Sequence, residues 1–196
     1  METMDRKIRQ LRSDASQFQV REAEGDLTIE GYFSVFNSIY ELWPGATESV
    51  APGAFSETLG NDIRALVNHN DTLVLGRNKA GTLELREDSH GLWGKIKVNP
   101  NDSDAMNLYE RVKRGDVNQC SFGFMIEDEE TEFREDGSIH WTIRKVNLFE
   151  VSVCTFPAYE ATEVSARKDE LEELRKRRAE KWRAEMRAKL NKEEAE

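Results

Sequence analysis

Residues 146–155 read Val-Asn-Leu-Phe-Glu-Val-Ser-Val-Cys-Thr, one of the most strand-prone runs in the chain. A carboxylate, Glu150, stands in the middle of this run. Burying an unpaired charge is costly, so a carboxylate in a central strand usually has a specific cationic or hydrogen-bonding partner. Two kinds of partner carry equal weight here: an imidazolium generated during acyl transfer, and an arginine such as Arg64 or Arg144.

Strand patterns continue on the N-terminal side of this run. Residues 17–37 carry alternating apolar side chains around Glu24-Gly25-Asp26, which predicts a hairpin of two strands. Asn, Asp and Gly separate the later apolar runs, as is typical of turns. Those runs predict strands over 63–67, 73–75, 82–85, 92–98, 119–127, 131–133, 139–144 and 146–155. The chain is therefore expected to be mainly β.

Helices are predicted at three places, which makes the expected fold class α+β. Pro52 precedes a short helix over 53–59, and Pro100 with Asp102 opens a second helix that ends at Arg114 before Gly115. Residues 40–50 predict a loop because they contain Trp43-Pro44-Gly45. Beyond Val164 the composition turns to Glu, Lys, Arg and Ala, which predicts a long charged helix.

The sequence thus predicts an N-terminal arm over 1–16, a folded domain over 17–164 and a charged helical tail over 165–196. The apolar residues of the tail fall on one side of a helix, at Leu171, Leu174, Trp182, Met186 and Leu190. A solvated helix and a docking or self-association helix fit this pattern equally well.

Composition narrows the classes of function. The 196 residues are 38% hydrophobic and 34% charged, which is typical of a soluble globular domain. A net charge of -10 argues against a nucleic-acid partner. Residues 1–14 contain no apolar stretch, so we expect no signal peptide and no membrane partner. Cys120 and Cys154 lie in apolar runs without ligand-like spacing, which favours a reducing cytoplasm and no disulfide or metal site.

A base and a nucleophile can be selected from the remaining polar residues. His69 follows the strand predicted over 63–67, at a strand-to-loop junction where functional side chains are often placed. His90 and His140 have the pattern of surface residues, although His140 is kept as an alternative site residue. A hydroxyl becomes a good nucleophile when an imidazole takes its proton and a third group orients that imidazole.

Ser121 is the candidate nucleophile because of strand alternation. Cys120 shares one strand face with Phe122 and Phe124, so its thiol is expected in the core. Ser121 lies on the opposite face beside Gly123, where a substrate could approach. An ordinary outward-facing serine and a Cys120 nucleophile are the alternatives. No glycine-rich phosphate loop or metal-ligand cluster is present, so no cofactor is expected.

Several short motifs occur in a fixed order over residues 17–167. They are Gly31-Tyr-Phe-Ser-Val-Phe-Asn37, Pro52-Gly-Ala-Phe55, Leu66-Val-Asn-His69-Asn70, Gly91-Leu92, Arg114-Gly115-Asp116, Ser121-Phe-Gly-Phe124, Glu150-Val-Ser152 and Pro157-Ala-Tyr159. This ordered set resembles the tailed-bacteriophage prohead protease family, serine proteases that process capsid and scaffold proteins during head maturation.

The resemblance implies a catalytic triad of His69, Ser121 and Glu150. It also implies a fold similar to the herpesvirus assemblin proteases, a closed antiparallel barrel ringed by helices. Assemblins have a histidine as third triad member, so His140 is the alternative to Glu150. By the same analogy, a backbone N–H within residues 155–160 is expected in the oxyanion hole.

The function implied is a serine endopeptidase that cleaves the major capsid protein, its scaffold segment and its own chain. Such an enzyme is expected in the host cytoplasm, inside the assembling prohead, with a homodimer as one expected state. The alternative is a non-catalytic scaffold or capsid-assembly protein that keeps the protease fold.

Overall fold

The computed structural model describes residues 10–15, 18–23, 26–156 and 161–193. Two compact units divide the chain, Met1–Tyr159 and Glu160–Glu196. The strands are β1 (Gln10–Ala15), β2 (Gln19–Ala23), β3 (Asp26–Val35), β4 (Tyr40–Trp43), β5 (Ala46–Val50), β6 (Arg64–Val67), β7 (Asn70–Arg77), β8 (Leu83–Glu87), β9 (Gly91–Lys97), β10 (Gln119–Phe133) and β11 (Ile139–Cys154). The helices are α1 (Ser103–Arg114) and α2 (Ala161–Glu193), with a 3-10 turn at Asn78–Ala80.

The smaller sheet is antiparallel, with strand order β2-β3-β9-β8 among the described residues. It confirms the hairpin expected over residues 17–37, although residues 24 and 25 of its turn lie outside the described part of the chain. Phe33 of β3 is fully buried, and its ring lies 5.4 Å from that of Phe18. One face of this sheet therefore contributes aromatic side chains to the core.

The larger sheet is built around the hairpin of β10 and β11. Its path among the described strands is β1-β10-β11-β5-β4, with β6 and β7 branching from β11. The same edge of β11 pairs in parallel with β5 along residues 139–143 and with β6 along residues 150–153. Strand β11 is long enough to pair with two parallel strands in succession. It is therefore the strand that joins the two branches of the larger sheet.

The expected closed antiparallel barrel is not found among the described residues, which form two sheets. The reason lies in β11, whose two parallel neighbours make the larger sheet mixed and make it branch rather than close. The coarser expectation of a mainly β fold with few helices is confirmed.

Helix α1 begins and ends close to the residues predicted from the sequence. The Asp102 carboxylate accepts hydrogen bonds from the N–H groups of Asp104 and Ala105, and Gly115 ends the helix. One face of α1 is buried, at Ala105, Leu108, Tyr109 and Val112. Helix α2 begins at residue 161, four residues earlier than expected. In the described part of the chain, neither helix has both the length and the apolar content to cross a bilayer.

Two local predictions were wrong, and one further segment forms a strand that the sequence did not predict. Residues 40–50 form the β4–β5 hairpin rather than a loop, because Pro44-Gly45 supplies its turn, with Gly45 at a φ of 84°. Residues 53–59 form successive turns rather than a helix, since Gly53 has a φ of 91° that interrupts helical hydrogen bonding. Within the expected N-terminal arm, residues 10–15 form a strand paired with β10.

Candidate active site

A tight turn between β6 and β7 carries His69. Val67 pairs with Asn70, so Asn68 and His69 are the two central residues of this turn. Both have positive φ, 48° and 58°, as the central residues of a two-residue hairpin require. This backbone conformation is uncommon for residues other than glycine, so surrounding contacts must hold it.

Hydrogen bonds to the end of β11 hold the turn. The Asn68 N–H donates to the Val153 carbonyl at 3.1 Å, and the Thr155 N–H donates to the Asn68 side chain at 2.9 Å. The His69 N–H donates to Ser152 Oγ at 3.2 Å. These contacts place the imidazole over the strand that carries Glu150.

The His69 imidazole and the Glu150 carboxylate are in direct contact. Nδ1 of His69 lies 2.7 Å from Oε1 of Glu150, which is 3% exposed. Oε2 of the same carboxylate accepts a hydrogen bond of 2.7 Å from Ser152 Oγ. An ionised carboxylate can only accept a hydrogen bond, so this contact favours the imidazole tautomer with its proton on Nδ1 and its lone pair on Nε2. The geometry therefore leaves Nε2 as the basic atom.

The alternative arginine partners of Glu150 lie in other ion pairs. Arg64, although it pairs with Glu150 in strand register, has its guanidinium 3.3 Å from Asp62. Arg144 pairs with Glu130 at the exposed part of the β10–β11 hairpin. Of the two kinds of partner expected for Glu150, the structure places the histidine beside it.

Ser121 lies on β10, directly opposite Ser152 of β11. Gly123 is likewise opposite Glu150. Residues paired across neighbouring strands project to the same face, with Cβ atoms about 5 Å apart. Ser121 therefore shares a face with Glu150 and with the Ser152 hydroxyl that contacts both His69 and Glu150. Its side chain is fully buried, so it is not an ordinary outward-facing serine.

The two cysteines occupy different faces of the sheet. Cys120 is buried opposite Val153, and its thiol donates to the Phe33 carbonyl at 3.5 Å, as expected for a core residue. Cys154 is buried with Sγ 3.8 Å from Nε2 of His69. Burial, with the nearby charge of Glu150, raises the pKa of the Cys154 thiol to about 12. The neighbour of Nε2 is therefore a neutral thiol.

His140 lies far from this cluster. It is ten residues before Glu150 on the same strand, which corresponds to about 33 Å. Its Nδ1 lies 2.8 Å from Thr47 Oγ1, and its Nε2 lies 2.9 Å from Ser49 Oγ. Both ring nitrogens thus have hydroxyl partners on β5. The structure brings Glu150, and not His140, to His69.

Ser152 also belongs to the cluster of His69 and Glu150, but the sequence patterns predicted no role for it. Its hydroxyl links the His69 backbone to the Glu150 carboxylate. Period-two spacing could have found it, because residues 150, 152 and 154 share one strand face. Within the described part of the chain, no group of three His, Cys, Asp or Glu side chains is arranged to hold a metal ion.

Comparison with known proteins identifies the family. The family described as caudovirus prohead serine protease matches residues 16–177. The chain belongs to this family. The prohead protease of Enterobacteria phage HK97 is 33% identical over 151 residues, which are 75% of this chain and 64% of the relative. This prohead-protease family chain therefore spans about 64% of the length of that curated relative.

A solved structure supports the fold of this family member. The structure of the bacteriophage T4 capsid assembly protease covers 74% of this chain and 96% of its own, with a TM-score of 0.50 and 9% identity. At this low identity the likeness shows the fold alone. It agrees with the mainly β architecture described above.

Proposed function

We propose that this prohead-protease family member is a serine endopeptidase in which Ser121 is the nucleophile, His69 the base and Glu150 the orienting carboxylate. The observation that carries the proposal is the 2.7 Å contact between His69 Nδ1 and Glu150 Oε1, held by a turn bonded to β11. A carboxylate on Nδ1 selects the tautomer with a basic Nε2, which is the form that general-base catalysis requires.

The reaction follows from this arrangement. Ser121 Oγ attacks the carbonyl carbon of a peptide bond while its proton passes to His69 Nε2. Glu150 stabilises the resulting imidazolium through Nδ1. The tetrahedral intermediate then collapses, and the leaving amine takes the proton from His69. Water repeats the attack on the acyl-enzyme with His69 as base, which restores Ser121.

An oxyanion hole must accompany this triad, and each donor is typically worth about 2.7 to 4 kcal/mol. The expected donor lies within residues 155–160. The Thr155 N–H donates to the Asn68 side chain, which favours a donor later in this stretch. Residues 157–160 lie outside the described residues, so the remaining stretch keeps the status of a prediction.

The family and the named relatives support a viral substrate. We propose the major capsid protein and its scaffold segment as substrates, with cleavage taking place inside the assembling prohead in the host cytoplasm. A homodimer is part of the same proposal, whereas nucleic acid and membrane are not expected as partners. The acidic charge of -10 agrees with a protein rather than a nucleic-acid substrate.

The decisive experiment uses Ser121→Ala with a fluorophosphonate probe and a capsid-protein co-expression gel. The wild-type chain is expected to be labelled and to process the capsid protein. Ser121→Ala is expected to lose both, because alanine provides no oxygen to form the covalent bond. The circular dichroism spectra of the two proteins should be the same, as expected if the substitution leaves the fold intact.

Ser34→Ala is the matched control. Ser34 is also fully buried, and in the described part of the chain its hydroxyl has no hydrogen-bond partner. This variant is expected to be labelled and to cleave like wild type. Normal processing by Ser121→Ala would refute Ser121 as the nucleophile, whereas a wild-type chain that neither reacts with the probe nor processes the capsid protein would favour the non-catalytic assembly role.

A further inference from the structure

The N-terminal strand β1 lies beside the proposed nucleophile. It pairs antiparallel with β10 from Gln10 opposite Phe124 to Ala15 opposite Gln119. Ser13 is opposite Ser121 in this register. The backbone of the chain itself thus runs along the edge of β10 at the point where a peptide bond has to reach Ser121.

Ser121 is fully buried. A polypeptide substrate must nevertheless reach the side chain of the nucleophile that cleaves it. Its neighbouring strands are β1 and β11. Strand β11 is paired with β10, β5 and β6, which holds it inside the sheet. Strand β1 is at the edge and, among the described strands, is paired with β10. Displacing β1 therefore disturbs the sheet least.

Strand β1 lies just outside the region that the family model matches. The family match begins at residue 16, and β1 ends at Ala15. The β10 edge is therefore within the matched region, while the strand that covers it is not. A free strand edge is a template for pairing with an extended peptide.

We propose that residues 119–124 of β10 form a docking edge for an extended peptide substrate, and that β1 occupies this edge in the unbound chain as an internal substitute for substrate. This inference rests on the proposed function and adds its binding mode. The partner that fits is a peptide segment in strand conformation, paired antiparallel to β10 through its backbone. Substrate binding then requires β1 to leave.

The first test compares the full chain with a variant lacking residues 1–15. The rate of fluorophosphonate labelling at Ser121 is expected to rise about tenfold, as for a site that is open in about one chain in ten. Amide hydrogen exchange at residues 119–124 should also rise. An unchanged labelling rate and unchanged exchange would overturn the proposal.

Two proline variants test the same point in the full-length chain. Alternate residues of an edge strand direct their N–H groups to the partner strand and to solvent. Arg12→Pro and Ser13→Pro are therefore a matched pair, since one removes a donor to β10 and the other removes a donor to solvent. One variant should accelerate labelling, while its neighbour should resemble wild type. Wild-type labelling in both would contradict the proposal.

A peptide added in trans separates this inference from the proposed function. A synthetic peptide of residues 8–17 should slow labelling of the shortened chain and protect amides 119–124 from exchange, whereas a scrambled peptide should not. If neither the truncation nor the peptide changes the labelling rate, the docking edge is refuted. The proposed serine protease activity is not refuted by that result. Absence of labelling in every variant refutes the proposed protease activity. Protection of amides 119–124 from hydrogen exchange by the peptide then still tests the docking edge.

Discussion

At the scale of single residues, Glu150 is the feature that links sequence to chemistry. Its position in an apolar strand indicates a partner, and the partner beside it is the imidazole of His69. Ser152 adds a second hydrogen bond to the same carboxylate, which restrains its rotation. Two groups thus hold a 3% exposed carboxylate in one orientation, which is what the proposed orienting role requires.

Glu150→Gln tests this role. Glutamine keeps the shape but lacks the charge that stabilises an imidazolium, and it can present an amide N–H to Nδ1 and select the wrong tautomer. We expect the fluorophosphonate labelling rate to fall by about 10³ to 10⁴, as for the orienting carboxylates of known serine proteases. Folding should be retained, as judged by circular dichroism.

Glu48→Gln serves as the matched control, since Glu48 is likewise a buried glutamate of the larger sheet, 4% exposed on β5. Its labelling rate should remain at the wild-type level. Wild-type reactivity in Glu150→Gln would mean that His69 is oriented by another group.

At the scale of elements, the position of the site depends on strand register. Ser121 and Glu150 face the same side because β10 and β11 pair with Ser121 opposite Ser152. A shift of one residue in β11 would move Glu150 to the other face of the sheet. The turn carrying Asn68 and His69 also stabilises the register between β6 and β11, because its hydrogen bonds are made with Ser152, Val153 and Thr155.

Gly91→Ala tests packing between β3 and β9 of the smaller sheet. A Cβ atom at Gly91 would lie 2.0 Å from the Ser34 carbonyl oxygen, and this backbone atom cannot move without separating the strands. We expect a loss of about 3 kcal/mol in the free energy of unfolding, at the upper end of overpacking effects. Urea denaturation followed by fluorescence would measure it.

Gly60→Ala is the control for this substitution, because nothing lies within 4 Å of the Cβ position and the glycine has no positive φ. Its free energy of unfolding should stay within about 0.5 kcal/mol of wild type. A Gly91→Ala protein as stable as Gly60→Ala would show that the two strands can separate without cost.

At the scale of the whole molecule, the chain combines a β unit with a separate charged helix. Helix α2 exposes Trp182 and Met186, which are 61% and 39% accessible. Two exposed apolar side chains are compatible with a solvated helix and with a docking helix, so both stay predictions. We propose that this helix tethers the chain to scaffold or shell and is removed by self-cleavage.

Intact-mass measurement during prohead maturation tests the removal of the tail. In chains co-expressed with the capsid protein, we expect a product that has lost residues from 161–196. The Ser121→Ala chain should keep its full mass under the same conditions, because removal depends on its own nucleophile. A mature, active chain that still ends at Glu196 would refute self-cleavage of the tail.

Much of the fold follows from local sequence signals. The capping of α1 by Asp102 and Gly115 was predictable, as were the strands β6 to β9, because these features depend on neighbours within a few residues. The β4–β5 hairpin and the turns over 53–59 were missed. There, Pro44-Gly45 and Gly53 have more than one compatible backbone conformation, and pairing with distant strands selects among them.

The sequence by itself determined the candidate residues His69, Ser121 and Glu150, the separation of Ser121 from Cys120 by strand alternation, and the need of Glu150 for a partner. Only the tertiary structure decided which partner that is, and that β1 covers the edge of β10. The reason is physical: alternation and burial cost are properties of a single strand, whereas contacts between residues 69 and 150, or 13 and 121, depend on which strands pair and in which register.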